Sequence, residues 1–359
     1  MTGTAGGRIR SALAAFVRPN ASPPRLGVAL QSGLAMLLAV GIPALFGRTD
    51  LGLLASSGAL TALYLVTRSR RERLRRLPVI QLGLLASAAI AAIPAGHPVL
   101  APVVLAAVVI AAAVLLLGVS VGPPGVLFFV LVPGVTARLT APVDRGGDAL
   151  DLRLVLGMQA LGCLLALAIA VLPLAVPAVR AADRTVPVAP LRFDLTPETR
   201  VVVLRLAIAV VVATAVSAPL GLHRTYWVLL AVVAALQAGP SRRLTALRAV
   251  HRVAGTALGL VLFAGLALLR PEGLLLAALV AALQFATELV VIRHYGLALV
   301  LITPLALSIA EAGSRQAIGT VVVERIIDTA VGAGIALAVL AADLVVERAR
   351  RSAPPRIAP

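Results

Sequence analysis

The stretch PVLAPVVLAAVVIAAAVLLLG, residues 98–118, decides the fold class because it carries no charged side chain. About 20 residues of α-helix are enough to cross a hydrocarbon layer. Similar uncharged blocks recur along the chain, in which 60% of the residues are hydrophobic and 13% are charged. Backbone amides in lipid must pair within their own segment, and such uniform blocks lack the alternation of a membrane barrel. The sequence therefore predicts an all-α integral membrane protein.

Twelve apolar blocks bounded by Arg, Pro or Gly predict twelve transmembrane helices. The first six lie near 27–46, 51–67, 77–95, 98–118, 121–137 and 154–176. The second six lie near 201–220, 225–241, 253–269, 273–292, 294–310 and 321–343. The predicted organisation is a basic N-terminus (1–26), a first six-helix repeat (27–177), a cytoplasmic linker (178–200), a second six-helix repeat (201–345) and a basic tail (346–359). The N-terminus is either an interfacial helix or a disordered tail.

The distribution of arginine predicts the orientation of these helices. With the N-terminus in the cytoplasm, 24 Arg residues fall on the inner side and 8 on the outer side. Cytoplasmic loops hold the excess of positive charge in membrane proteins. We therefore expect both termini inside and an even number of spans.

The two halves of the chain resemble each other. A shift of 176 residues aligns RTDLGLLASSGAL (48–60) with RTYWVLLAVVAAL (224–236), and it also pairs Arg76 with Arg252 and Gly83 with Gly259. A shift of 171 residues pairs Gly125 with Gly296 and Pro133 with Pro304. Six spans per half give both copies the same orientation, so the sequence predicts parallel repeats.

The segment ERIIDTAVGAG, residues 324–334, holds the sharpest group of charges within an apolar block. Arg325 and Asp328 are three residues apart and share one helix face. Charges at membrane depth are costly, and they mark functional sites unless they are paired. Asp328 is therefore either a carboxylate that takes up and releases a proton or one member of a fixed ion pair. Glu288 is a further acid within a predicted span.

Two further sets of residues are candidates for a transport path and for close helix packing. Short or proline-interrupted spans at matching positions of two repeats point to the substrate path. The path candidates beside the charged pair are Gln237, Arg252, Thr256, Thr303 and Pro304. Small residues allow close helix approach, and aromatic residues anchor helices at the membrane interface. The candidates for these roles are Tyr226, Trp227, Gly255, Gly259 and Gly332.

Composition and motifs argue against other classes of protein. The net charge is +17, but aromatic residues make up only 3% and the Arg residues lie in short loops, which disfavours a nucleic-acid partner. The four His residues and the single Cys form no metal-ligand pattern, and no phosphate-binding or nucleophile motif occurs. We therefore expect no enzyme activity, no metal and no cofactor.

Four segments of the second half together resemble the fusaric acid resistance protein-like (FUSC) family. They are YWVLLAVVAALQ (226–237), RVAGTALG (252–259), HYGLALVLITPLAL (294–307) and RIIDTAVGAG (325–334), within a resemblance that covers about 200–345. This family is similar to the aromatic acid exporters and, more distantly, to plant aluminium-activated malate channels. The first half fits only as a degenerate copy. The resemblance implies a multi-pass protein of the bacterial cytoplasmic membrane that exports small organic anions, driven by protons.

The resulting hypothesis is an alternating-access exporter whose path lies between the halves. In it Arg252 recruits the anion, Gln237 and Thr303 line the path, and Asp328 couples transport to protons. A passive anion channel of the same architecture and a membrane scaffold without transport remain as alternatives. The expected partners are the lipid bilayer, a small organic anion and protons, and a homo-oligomer is left open.

Overall fold

The computed structural model describes residues 20–23, 25–188, 190, 192–218, 225–310 and 318–352. The predicted interfacial helix of the N-terminus lies outside these residues. The end of the predicted basic tail lies outside them as well.

Thirteen α-helices account for most of the described chain, and no strand occurs within it. The first seven are α1 (Leu26–Leu45), α2 (Thr49–Ala59), α3 (Arg70–Ala92), α4 (Leu100–Gly118), α5 (Phe128–Thr140), α6 (Leu152–Val171) and α7 (Pro177–Arg184). The others are α8 (Pro197–Ser217), α9 (Thr225–Leu236), α10 (Arg242–Leu268), α11 (Gly273–Val290), α12 (Tyr295–Ala310) and α13 (Ile318–Ser352). Short 3₁₀ helices cover Leu60–Leu63, Val143–Arg145 and Leu172–Ala175. The predicted all-helical class is confirmed for the described residues.

Each of the twelve predicted spans contains a helix, and eight helices within the described residues are long and apolar enough to cross a membrane. Four of the described helices in the predicted spans have fewer than 18 residues: α2, α5, α9 and α12. The chain breaks α2 early because it tightens into a 3₁₀ turn and then reaches Leu65, whose φ of 57° is left-handed. The molecule is thus a helical membrane protein in which these four helices are short.

The two Arg-rich stretches before the third and ninth predicted spans are helical, although the sequence predicted loops at 68–76 and 242–252. The α3 helix begins at Arg70, where the Ser69 hydroxyl accepts a hydrogen bond of 3.2 Å from the backbone N–H of Glu72. The α10 helix begins in the same way after Ser241. A serine cap satisfies an N–H group that the helix leaves open, and long Arg side chains extend their charges away from the apolar surface. The helices therefore extend through the Arg-rich stretches in spite of their positive charge.

The same helix pairs pack together in both halves of the chain. In the first half α2 packs on α6, α3 on α5 and α3 on α6. In the second half α9 packs on α13, α10 on α12 and α10 on α13. The halves meet through two corresponding pairs, α1 with α11 and α4 with α8. The short helices of opposite halves also contact each other, α2 with α12 and α5 with α9.

Glycine allows the closest of these helix approaches. A Cβ atom added to Gly162 of α6 would collide with the carbonyl oxygen of Ala55 on α2. On α13, a Cβ atom added to Gly332 would lie 2.6 Å from the Ala231 Cβ and 2.6 Å from the Val228 carbonyl oxygen, both on α9. Helices in lipid associate largely through such close packing of small residues.

We expect Gly332→Val to lower the free energy of unfolding by about 1–3 kcal/mol, the usual cost of overpacking a tight contact. Gly334→Val is the matched control, because a Cβ atom at this position of the same helix meets nothing within 4 Å. Denaturant unfolding of the purified variants measures the difference. Equal stability of the two variants would contradict the close α9–α13 contact.

Candidate functional site

The segment between the halves is fixed at one end of the helix bundle, which we call the linker end. The α1, α3, α8 and α10 helices begin at this end, and α6, α9, α11 and α13 finish there. The Asp183 carboxylate of α7 accepts hydrogen bonds from the backbone N–H groups of Arg70 (2.6 Å) and Arg71 (3.2 Å). An acid at a helix N-terminus satisfies open N–H groups and complements the helix dipole. The linker is therefore anchored to the first half.

The first half joins its helices at the linker end through one buried arginine. Arg73 donates to the Gln31 side chain (2.7 Å) and to the Ala62 carbonyl oxygen (2.7 Å). Gln31 in turn donates to the Ile169 carbonyl oxygen at 3.3 Å. These bonds connect the starts of α1 and α3 with the ends of α2 and α6, so they serve to hold helices together.

The second half joins the corresponding helices through one carboxylate. Asp343 near the end of α13 accepts from Arg205 of α8 (2.5 Å) and from Arg242 of α10 (2.9 Å). Arg205 also donates to the Pro240 carbonyl oxygen after α9, at 2.9 Å. All three charged groups thus have partners, and the cluster is structural.

The predicted charged pair on α13 lies inside the protein beside an aromatic residue of α9. Arg325 and Asp328 are 3% and 2% exposed. The Arg325 guanidinium carbon lies 3.6 Å from the centre of the Trp227 ring, a cation–π contact. The Tyr226 ring lies 4.9 Å from the Trp227 ring, and both aromatic side chains are buried. The structure therefore brings four of the predicted residues into one cluster.

The seam between α10 and α12 contains most of the other predicted residues. Gly255 packs against the backbone of Gly296, and Gly259 packs against Thr303. The Thr303 hydroxyl donates to the Leu299 carbonyl oxygen at 2.7 Å. Both glycines thus act as the predicted close-packing positions, since any larger residue would separate the two helices.

Thr256 and Pro304 lie along the same two helices. The Thr256 hydroxyl is buried and has no hydrogen-bond partner among the described residues. Pro304 lines a cavity of about 190 Å³ together with Phe263 and Ser308 of the second half and Leu53 of the first half. The cavity walls are mainly apolar, and they come from both halves.

Arg252 lies at the linker end of this seam. Its side chain is buried, with 4% exposure, and its guanidinium donates to the Tyr295 hydroxyl at 3.5 Å, the long limit of a hydrogen bond. Arg248, one helical turn earlier, places its guanidinium carbon 4.9 Å from the centre of the Tyr295 ring. The rings of His251 and His294 lie beside this group, with centres 5.1 Å apart. Arg252 was predicted from the sequence, whereas Arg248 and Tyr295 were not.

Gln237 bonds across the interface between the halves, and Glu288 is bonded to Gln284, which does the same. Gln237, just after α9, accepts from the backbone N–H of Val126 (3.0 Å) and donates to the Pro124 carbonyl oxygen (3.2 Å). On the α1–α11 interface, Gln284 donates to the Ser32 hydroxyl (3.3 Å) and to Glu288 (3.4 Å). Gln237 and Glu288 are therefore separate from the cluster around Trp227.

Comparison with known proteins relates part of this chain to a known family. Residues 206–339 match the model of the family described as fusaric acid resistance protein-like. A stretch of 147 residues is 33% identical to the uncharacterized membrane protein YvaC of Bacillus subtilis (strain 168). This match covers 40% of this chain and 23% of that protein. The chain thus spans less than a quarter of that relative's length in the match. No solved structure matches this chain.

The matched region extends from α8 into α13, and it contains the Trp227 cluster and the α10–α12 seam. The four segments that carried the predicted resemblance lie inside it. The resemblance is therefore confirmed: residues 206–339 of this membrane protein match the fusaric acid resistance protein-like family.

Proposed function

We propose that this protein is a transporter that exports small organic anions, aromatic acids among them, across the bacterial cytoplasmic membrane. The observation that carries the proposal is the burial of Arg325 and Asp328 beside Trp227 inside a bundle of membrane-crossing helices. Charges at membrane depth face the bundle interior and mark ion and substrate pathways. The family relationship of residues 206–339 supports a transport function.

The architecture in this proposal has twelve spans, arranged as two parallel six-helix repeats with both termini in the cytoplasm. The repeated helix pairs support the duplication. The excess of Arg on the side of the linker supports a cytoplasmic linker end. In this proposal the four short helices cross the membrane together with the segments that flank them, because a membrane protein tolerates irregular backbone where the protein itself surrounds it.

The side chains around Trp227 suit an aromatic acid. A guanidinium group binds a carboxylate through two parallel hydrogen bonds, and an indole ring stacks on another aromatic ring. Arg325 supplies the first group and Trp227 the second. An aromatic acid could therefore be held by its charge and by its ring at one place.

Asp328 gives this site a means of proton coupling. It lies one turn from Arg325 on the same helix face, so its carboxylate competes with an anion for the positive charge of Arg325. Protonation removes that competition, and loss of the proton restores it. Anion binding and proton binding are then linked, as any proton-dependent transport requires.

The remaining candidates define a path from the linker end toward this cluster. In the proposal Arg252 recruits the anion, Thr256 and Thr303 follow it along α10 and α12, and Pro304 leads to the cavity between the halves. Gln237 contributes by holding the turn at 124–126. The chemistry is transport without an enzymatic step, metal or cofactor, and assembly of several copies in the membrane is compatible with it.

We expect Asp328→Asn to abolish proton-driven uphill export and to leave the fold intact, because the amide has the size of the carboxylate but cannot titrate. Flux of an aromatic acid in proteoliposomes at imposed pH gradients measures this. Asp50→Asn is the control, since Asp50 forms an exposed pair with Arg48 at a distant helix start. Normal uphill flux in the Asp328 variant would exclude the coupling role. Downhill flux independent of pH in the native protein would favour the passive channel.

We expect Trp227→Leu to raise the KM for an aromatic acid about two- to tenfold, because a stacking contact in a buried site is worth roughly 0.5–1.5 kcal/mol. The KM for an aliphatic acid should change much less, since it offers no ring. Competition between aromatic and aliphatic acids in the same vesicles measures the ratio. Equal changes for both acids would show that the indole packs the helices without contacting the substrate.

The proposed topology can be tested with single cysteines, since Cys163 is the only cysteine and can be replaced by Ala. We expect Thr185→Cys in the linker and Asp144→Cys in the loop after α5 to react with a membrane-impermeant maleimide from opposite sides. Both positions are exposed. Labelling of both from the same side of intact cells would contradict the alternating twelve-span arrangement.

A further inference from the structure

Arg252 is a buried cation that pairs with no acid among the described residues. Its side chain is 4% exposed, and its Nε atom has no hydrogen-bond partner among them. Among the described residues, no carboxylate forms a salt bridge with it, and the bond to the Tyr295 hydroxyl is long at 3.5 Å. An isolated buried charge costs several kcal/mol unless a counter-ion meets it.

The first half shows how the same position is neutralised. The shift of 176 residues that pairs Arg76 with Arg252 also pairs Glu72 with Arg248. Glu72 is 5% exposed and forms salt bridges with Arg76 (2.5 Å) and Arg68 (3.4 Å). The acid one turn before the arginine thus compensates its charge within the same helix.

The second half has a cation where the first half has this acid. Arg248 therefore adds a second positive charge one turn from Arg252, and it contacts the Tyr295 ring instead of a carboxylate. Within the described residues neither arginine has an acidic partner. The arrangement lacks an anion that the first half carries in its own sequence.

An anion can reach this position from the linker end. Arg248 and Tyr295 are partly exposed there, and Arg252 lies behind them. One turn further along α10, the buried Thr256 hydroxyl offers a donor that no described residue uses. Two guanidinium groups and two hydroxyl groups thus follow one another from the surface inward.

We infer that Arg248, Arg252, Tyr295 and Thr256 form a binding site for a carboxylate or phosphate group. Both are oxyanions that guanidinium groups bind through paired hydrogen bonds. The group belongs either to an organic anion or to phosphate, free or in a lipid head group. The inference deepens the proposed function, on which it rests for the identification of the anion as cargo, by assigning its first binding site.

Binding can be measured on the full chain, purified in a neutral maltoside detergent and stripped of lipid. Thermal unfolding is followed through the fluorescence of Trp227, the only tryptophan. Benzoate, inorganic phosphate and a short-chain phosphatidylglycerol are each titrated at constant ionic strength. We expect benzoate to raise the unfolding temperature of the native chain until the site is saturated.

We expect Arg252→Gln to weaken benzoate binding at least tenfold, whereas Arg76→Gln at the matched position of the first half should leave it unchanged. The decisive variant is Arg248→Glu, which rebuilds the acid of the first half. An acid four residues before Arg252 supplies an internal counter-ion. This variant should unfold at a higher temperature without ligand and should bind benzoate at least tenfold more weakly.

Phosphate or phosphatidylglycerol could stabilise the native chain where benzoate does not, and this effect could be lost in Arg252→Gln and Arg248→Glu. That result would support an oxyanion site but overturn the assignment of the organic anion as its occupant. Equal benzoate binding by the native chain and Arg252→Gln, unaltered binding in Arg248→Glu, or no response to any of the three anions would overturn the site itself. No gradient is applied in these measurements. Their failure therefore leaves the transport test of Asp328 unaffected.

Discussion

The constraint on which the structure depends is that lipid offers no hydrogen-bond partner and no counter-charge. The backbone meets it by forming helices. Polar side chains meet it by bonding between helices, as when Gln81 donates to the Thr61 hydroxyl (3.0 Å) and to the Cys163 carbonyl oxygen (2.7 Å). Gln159 bonds the Thr136 hydroxyl at 2.7 Å in the same way. These buried amide side chains thus also link helices.

The two halves meet this constraint with different residues in similar places. At the linker end the first half relies on Arg73 and Gln31, and the second half on Asp343 and two arginines. If the glycines at the two close crossings, Gly162 and Gly332, are superposed, Arg325 and Asp328 fall on Val155 and Met158. The first half is apolar where the second half is charged. The charged half is the one that contains the match to the family.

The short helices of the second half pack against short helices of the first half. The α9 helix carries Trp227 and contacts α5, and α12 carries Pro304 and contacts α2. Gly134 of α5 packs directly against Tyr226, so a shift of α5 would be felt at the Trp227 cluster. A rearrangement of the halves would therefore reach the charged pair through packed side chains, which is the kind of coupling that alternating access requires.

Much of the fold could be predicted from sequence, because the physical cause acts locally. Uncharged blocks indicated the helices, and RIIDTAVGAG indicated a charged pair with a small-residue face. The two short blocks form short helices, whereas the helices of the two proline-containing blocks continue through Pro133 and Pro304. The predicted spans began at 77 and 253, about two and about three turns after the observed helix starts at Arg70 and Arg242. Serine capping and the reach of arginine, which act at the helix end, outweighed the charge that suggested a loop.

The partners of these residues were decided by the tertiary structure. The sequence alone identified Arg325 and Trp227 as candidates, yet 98 positions separate them and only packing of α13 on α9 brings their side chains to 3.6 Å. In the same way, Arg252 was visible as a charge, but its burial without an acid became evident only when α12 brought Tyr295 beside it. The sequence alone determines which side chains require a hydrogen-bond or charge partner, because that requirement follows from the residue type. Whether the protein itself supplies the partner depends on distances between helices, which only the tertiary structure determines.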